Sequence, residues 1–283
     1  MSKIVEVGPR DGLQNEQETV PTDLKVAFVD ALSKAGLKEI EAGAFVSPKW
    51  IPQLADSADV FARIVRAPGV TYSALVPNEQ GLDRALAAKA DKIAVFTAAS
   101  ETFNRKNINA SIAESIARFE PVVRRARELK LPVRGYISTA FWCPFEGKID
   151  PAKTVDVSRR LLDLGVDELS IGDTIGKATP AEVGALLDLL LPAVPPDRIA
   201  MHFHDTYGRA VANCKASRAR GITTFDSSAG GIGGCPYAPG ATGNVATQAL
   251  VDAFPDTGVD RSALDAASTL MLSRLPRRRP LTA

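Results

Sequence analysis

Short apolar runs alternate along the chain with longer segments whose apolar residues recur every three to four positions. The first short run is Ile4-Val5-Glu6-Val7. It is too brief for a helix and stops at Gly8-Pro9, so it reads as a strand. From Pro21 to Ala35, Leu24, Phe28, Ala31, Leu32 and Ala35 share one helical face, and Gly36 supplies the stop. Leu37–Glu41 is again short and strand-like, ending in a carboxylate. The unit repeats: Leu164-Gly165-Val166 enters a strand that ends at Gly172-Asp173, and Arg220-Gly221-Ile222 enters one that ends at Asp226. Further strands are predicted at Thr71–Leu75, Lys92–Phe96, Val133–Ser138 and Ile199–Phe203. Helices are predicted over Ile112–Leu129, Pro151–Leu164, Pro180–Leu191 and Tyr207–Arg220.

Eight strand–helix alternations predict an α/β chain with a parallel sheet. Closed on itself, such a sheet is a (β/α)8 TIM barrel, here a single domain over residues 1–283, with its site at the C-terminal ends of the strands. A doubly wound open sheet is the alternative. No Gly-x-Gly-x-x-Gly follows the first strand, which counts against a dinucleotide-binding version.

Composition narrows the function classes. Of 283 residues 45% are apolar, enough for a large core. The 34 Lys+Arg against 33 Asp+Glu give no excess charge for nucleic acid or an anionic membrane, and Arg277-Arg278-Arg279 reads as a solvated terminus. No apolar stretch is long enough to span a bilayer, and Met1–Glu6 lacks the pattern of a leader. Cys143, Cys214 and Cys235 are odd in number and far apart, which fits a reduced, cytoplasmic compartment rather than a disulfide framework.

The chemistry gathers around Met201-His202-Phe203-His204-Asp205, which holds both histidines of the chain. On a strand His202 and His204 face the same way, with Phe203 opposite. Two imidazoles near a carboxylate are divalent-metal ligands, although an isolated His-x-His pair is more often incidental. Other polar clusters also sit at predicted strand ends. Arg10 and Asp11 lie in Gly8–Gln14 after the first, Glu41 ends the second and Asp173 the sixth. The glycine-rich Ala229–Tyr237, carrying Cys235, and then Gly240–Asn244 follow the eighth. Each has a plain structural explanation alone: an Arg10–Asp11 ion pair, a helix cap at Asp173, glycines that turn the chain. Convergence on one barrel mouth outweighs these. Asp11 and Asn244 offer oxygens and the histidines nitrogens, a set suited to Mg²⁺ or Mn²⁺ more than to zinc. The glycine-rich loop lacks the Lys-Ser/Thr ending of a nucleotide loop; its predicted use is to carry Cys235 over the mouth.

These segments resemble the hydroxymethylglutaryl-CoA lyase family. The resemblance rests on Val7–Glu16, Phe45–Trp50, Lys106–Asn109, Arg134-Gly135-Tyr136, Cys143–Lys148, Gly172–Gly176, His202–Gly208 and the Cys235 loop, in that order, from about residue 4 to residue 255. It implies retro-Claisen cleavage of 3-hydroxy-3-methylglutaryl-CoA to acetyl-CoA and acetoacetate with bound Mg²⁺ or Mn²⁺. It implies Asp11, His202, His204 and Asn244 as metal-site residues. Arg10 is then the catalytic cation, Glu41 its neighbour and Cys235 the mobile thiol acid, with Asp173 also in the site. His202 is the first choice of base, with Asp11 or Asp173 in reserve, and Arg10, Gln14 and Tyr136 meet the substrate. The expected partner is an acyl-CoA thioester, with a homo-oligomer, a dimer by analogy. The alternatives are a lyase for a longer-branched 3-hydroxyglutaryl-CoA, a Claisen-condensing acyltransferase of the isopropylmalate or homocitrate synthase type, and a catalytically silent barrel used for binding.

Overall fold

In the computed structural model, which describes residues 1–16, 18–234 and 243–275, eight strands form where the short apolar runs lie. They are β1 (Lys3–Glu6), β2 (Glu39–Ala44), β3 (Thr71–Leu75), β4 (Lys92–Ala98), β5 (Val133–Ser138), β6 (Glu168–Asp173), β7 (Ile199–Phe203) and β8 (Thr224–Ser227). All pair in parallel in chain order, and β8 closes on β1, so the chain is a (β/α)8 barrel. Around it run α1 (Thr22–Lys34), α2 (Ser57–Arg63), α3 (Glu79–Ala87), α4 (Glu101–Ile108), α5 (Ile112–Glu128), α6 (Pro151–Leu164), α7 (Pro180–Leu190), α8 (Ala210–Arg218), α9 (Thr247–Ala253) and α10 (Arg261–Leu272). No helix among the described residues is long and apolar enough to cross a membrane.

Local chemistry sets the helix bounds. Ser111 with Glu114, and Thr179 with Glu182, close reciprocal capping boxes at the starts of α5 and α7. Gly165 ends α6 in a left-handed conformation at φ 105°. The helix expected from Tyr207 begins only at Ala210, because Asp205 Oδ1 accepts the Ala210 N–H at 2.9 Å and the chain turns at Gly208 first.

The second strand departs from the sequence expectation. It runs past Glu41 to Ala44 through a register shift between Glu41 and Gly43. Ser57 makes this possible: its hydroxyl accepts the Ala44 N–H at 3.0 Å, and a Cβ on Gly43 would lie 2.6 Å from that oxygen. Glu41 is thereby built into the barrel wall, 1% exposed, rather than standing at a solvated strand tip.

Alternation along each strand sends Ile40, Ile93, Val133, Leu169, Ile199 and Phe225 into the main hydrophobic core. The opposite parity faces the lumen, and its lower layer is ionic. Lys92 on β4 meets Glu39 on β2 at 2.8 Å and also pairs with Glu168 on β6, while Lys3 reaches Glu39 at 2.6 Å. β4 pairs with neither β2 nor β6, so its two contacts can only meet inside the barrel. An ionic floor of this kind is costly to desolvate and tolerates little misregistration.

Candidate active site

After β1 the chain makes one wide π-turn, Gly8–Gly12, in which the Gly12 N–H reaches back to the Val7 carbonyl at 3.1 Å. The turn sends two consecutive side chains into the barrel mouth. Arg10 donates Nε to Glu41 Oε2 at 2.7 Å and Nη1 to Asp11 Oδ1 at 2.8 Å, and its Nη2 lies 2.6 Å from Glu41 Oε2. The Tyr136 hydroxyl donates to the same Glu41 oxygen at 3.1 Å, and the guanidinium sits 5.3 Å from the Tyr136 ring centre. Burial works against the charge on Arg10, but Glu41 and Asp11 outweigh it and keep the guanidinium charged. The Glu41 carboxyl is pushed up by burial in spite of Arg10, and its Oε1 is buried with no partner among the described residues.

β7 presents His202 and His204 side by side, ring centres 5.3 Å apart. One ligand atom from each of Asp11, His202 and His204 falls within 4.8 Å of the others. His204 Nδ1 is buried with no hydrogen-bond partner among the described residues, and burial with His202 beside it holds its pKa down at about 4. It is therefore a neutral imidazole at neutral pH. Burial also opposes protonation of His202, but the hydrogen bond to Asp226 and the charges of Asp11 and Asp226 shift it upward. Asp11 is opposed by burial and still held below the usual carboxylate range by Arg10, His202 and His204.

Asn244 joins this group through the backbone. The strand end at Phe203 and His204 pairs with the chain returning from the glycine-rich segment: Val245 N–H donates to the Phe203 carbonyl at 3.0 Å, and Asp205 N–H to the Gly243 carbonyl at 3.0 Å. Asn244 Nδ2 then donates to Asp11 Oδ2 at 2.8 Å and to the Ile232 carbonyl at 3.2 Å, so only its Oδ1 is left to face a cation. A carboxylate oxygen, an amide oxygen and two imidazoles, one of them with a buried Nδ1 lacking any partner among the described residues, make a donor set that fits a hard divalent cation.

These side chains open onto a cavity of about 830 Å³. Arg10, Gln14, Tyr136, His202 and His204 form its inner end; Val46, Leu75 and Phe96 are apolar wall; Arg105, Lys106 and Arg118 stand among its outer residues. Gln14 Oε1 is buried without a partner among the described residues. Asp173 is fully buried but otherwise engaged. Its two oxygens accept the Lys177 and Ala178 N–H groups at 3.1 and 2.9 Å, and the cavity wall passes through Gly172 and Thr174 on either side of it. Its carboxyl is raised to about 6, mainly by burial. Cys235 lies outside the described residues. The segment leading to it is fastened at Gly234, whose carbonyl accepts Asn15 Nδ2 at 2.9 Å.

Two residues that were given no role from the sequence, Asp226 at the end of the eighth strand and Arg134 in the Arg134-Gly135-Tyr136 segment, stand behind His202. Asp226 on β8 lies 3.2 Å from His202 Nδ1, and Arg134 on β5 reaches the same carboxylate at 2.5 Å. Their lumen-facing parity, two residues from Tyr136 on β5 and from Thr224 on β8, was the available sequence signal.

The HMGL-like family profile matches residues 2–275. The chain is 53% identical over 262 residues to the cytoplasmic 3-hydroxy-3-methylglutaryl-CoA lyase of Rattus norvegicus, covering 91% of this chain and 76% of that protein. It is 51% identical over 266 residues to the 3-hydroxy-3-isohexenylglutaryl-CoA/hydroxy-methylglutaryl-CoA lyase of Pseudomonas aeruginosa, covering 93% and 89%. The fold superposes on the crystal structure of hydroxymethylglutaryl-CoA lyase from Pseudomonas aeruginosa with a TM-score of 0.94 at 50% identity, over 96% of this chain and 92% of that one.

Proposed function

The chain belongs to the HMGL-like family, and from that premise we propose that it is a cation-dependent carbon–carbon lyase that cleaves 3-hydroxy-3-methylglutaryl-CoA into acetyl-CoA and acetoacetate. The observation that carries the reading is the convergence of Asp11, His202 and His204 within 4.8 Å, with Arg10 locked beside them by Glu41. The cavity has the volume of a ligand site, and cationic residues around it suit the phosphates of coenzyme A.

Asp11, His202, His204 and the Asn244 carbonyl would hold Mg²⁺ or Mn²⁺. Such a cation supplies Lewis acidity, acidifying a hydroxyl and orienting the carboxylate beside it. Every other demand falls on side chains. The tertiary hydroxyl loses its proton, the bond between C2 and C3 breaks, and C3 becomes the ketone of acetoacetate. The electron pair passes into the thioester as an enolate. Arg10, always charged and fixed in orientation by Glu41, stabilises the enolate oxygen. Cys235 returns one proton to C2, completing acetyl-CoA; a thiol of ordinary acidity is protonated at neutral pH. Of the three candidate bases, Asp11 is held too acidic and Asp173 does not line the cavity, which leaves His202. His202 Nε2 would serve as that base where Asp11, His204 and Asn244 hold the cation without it.

The same reading puts the enzyme in the cytoplasm, where Cys143 and Cys214 stay free, and gives it a place in leucine breakdown and ketone-body formation. It also carries a homodimer by analogy with other barrels, which light scattering of the purified chain checks.

The test is product release from 3-hydroxy-3-methylglutaryl-CoA with and without added Mg²⁺ or Mn²⁺. Equimolar acetoacetate and acetyl-CoA, formed only with cation, is the expected result; silence with both cations ends the reading. A second substrate is worth placing beside it. The Pseudomonas aeruginosa relative carries isohexenylglutaryl-CoA in its name, and here Val46, Leu75 and Phe96 give the cavity an apolar wall. A longer-branched thioester turned over faster than the methyl one would reassign the acyl preference without changing the chemistry.

A further inference from the structure

The ionic floor of the lumen extends upward to the histidines. Arg134, 2% exposed, spans from β5 to β8 and places Nη2 2.5 Å from Asp226 Oδ1. The other oxygen of Asp226, Oδ2, accepts the Ser170 hydroxyl of β6 at 2.8 Å and lies 3.2 Å from His202 Nδ1. Asp226 stands beside His202 in the register between β8 and β7. One buried carboxylate thus has partners on three other strands. His204 has no counterpart, since its Nδ1 has no partner among the described residues.

We propose that Asp226, held in place by Arg134 and Ser170, is the positioning residue that turns His202 toward the cation cluster. This rests on the reading of Asp11, His202 and His204 as a cation site. A carboxylate at Nδ1 can only accept, so it fixes the ring hydrogen on Nδ1 and makes Nε2 the one ring nitrogen with a lone pair to offer to the group formed with Asp11 and His204. Asp226 cannot stand in the lumen alone, because an unpaired buried carboxylate is strongly disfavoured; Arg134 is its counter-ion and Ser170 its second donor. Arg134 also lies 5.1 Å from the Tyr136 ring centre, the same ring that Arg10 approaches at 5.3 Å. The arginine that anchors Asp226 therefore packs on the tyrosine that holds Glu41, and the cation half and the Arg10 half of the site share one support.

An amide at position 226 separates this role from plain packing. In Asp226→Asn the oxygen turns to Arg134, which can only donate, and the NH2 faces His202 Nδ1. The ring hydrogen then moves to Nε2, on the cluster side, and the lone pair there is lost. Mn²⁺ affinity is measured by calorimetry on the full chain, with circular dichroism as the check of folding. Asp226→Asn is expected to bind Mn²⁺ roughly ten to a hundredfold more weakly than the parent. Ser170→Ala, which removes one donor and no charge, is expected to weaken it in the same direction by a smaller factor. A folded Asp226→Asn protein that binds Mn²⁺ within twofold of the parent overturns the assignment. Should Asp226→Asn fail to fold, an unchanged affinity in Ser170→Ala overturns it instead. A parent that binds no Mn²⁺ is the distinct outcome in which the cation reading itself fails and takes this assignment with it.

Discussion

Arg10 places two of its nitrogens, Nε and Nη2, on a single oxygen of Glu41, at 2.7 and 2.6 Å. The guanidinium plane is therefore set by the wall of β2 before any substrate arrives. Preorganised charge of this sort stabilises a developing oxyanion without reorganising during the reaction. Replacing Arg10 by Gln keeps a polar side chain and removes the charge. Turnover is expected to fall a hundredfold or more, corresponding to roughly 3–4 kcal/mol of transition-state stabilisation, with Mn²⁺ affinity kept within a few-fold. Steady-state rates beside calorimetry check this. Near-parental turnover would remove Arg10 from the chemistry.

Cys235→Ala tests the proposed proton donor. Asn15 fastens the chain at Gly234, and Gly243 anchors it again through its carbonyl to Asp205, so the loop can be altered without touching its two moorings. The variant should melt within a degree or two of the parent while acetyl-CoA formation nearly stops. Ample product from it would assign the proton elsewhere.

Gly243 is required by its surroundings. Its φ is 101°, and a Cβ there would lie 2.1 Å from the Gly233 carbonyl oxygen, a backbone atom that cannot swing aside. Gly243→Ala forces the two ends of the glycine-rich loop apart and moves Asn244 off Asp11. The expected loss is about 1–3 kcal/mol of stability together with weaker Mn²⁺ binding. Denaturant unfolding at parental stability would show that the loop ends separate freely.

Glu6 gives the fold a pH dependence of definite sign. Its carboxyl accepts N–H groups from Gly8 and Ala229 at 2.8 and 2.9 Å and the Thr247 hydroxyl at 2.6 Å. Burial nevertheless raises it from the ordinary 4.5 to about 7, the hydrogen bonds from Thr247, Ala229 and Gly8 opposing. Between these values the folded chain keeps a proton that the unfolded chain has released, so this contribution to stability is present below the lower value and declines as pH rises to the upper one. Glu6→Gln cannot titrate. Its stability is expected to lose that decline, a difference on the order of 3 kcal/mol across the window. Parallel stability–pH curves for the two proteins would contradict the burial argument.

The fold was largely legible because strands at 71–75, 133–138 and 199–203 are short apolar runs between strong stops. The extension of β2 to Ala44 was hidden, since it depends on Ser57 bonding the Ala44 N–H from a helix thirteen residues on. Asp11 and the two histidines were legible as types and as strand ends. Asp226 was legible as a strand end but not as a partner of His202, because that depends on the register of β8 on β7, and register is a property of the closed barrel. Asp173 shows the converse: it ends a strand as a site residue would, while its carboxylate holds the backbone of its own loop and does not line the cavity.

Asp11, His202 and His204 are proposed to grip one divalent cation at the mouth of the barrel. Anomalous diffraction from crystals of the chain grown with Mn²⁺ tests it most directly. A single strong peak is expected in contact with a carboxylate oxygen of Asp11 and one ring nitrogen of each histidine. A protein that cleaves the thioester with Mn²⁺ while its peak lies elsewhere, or with those two rings turned away from it, would contradict it.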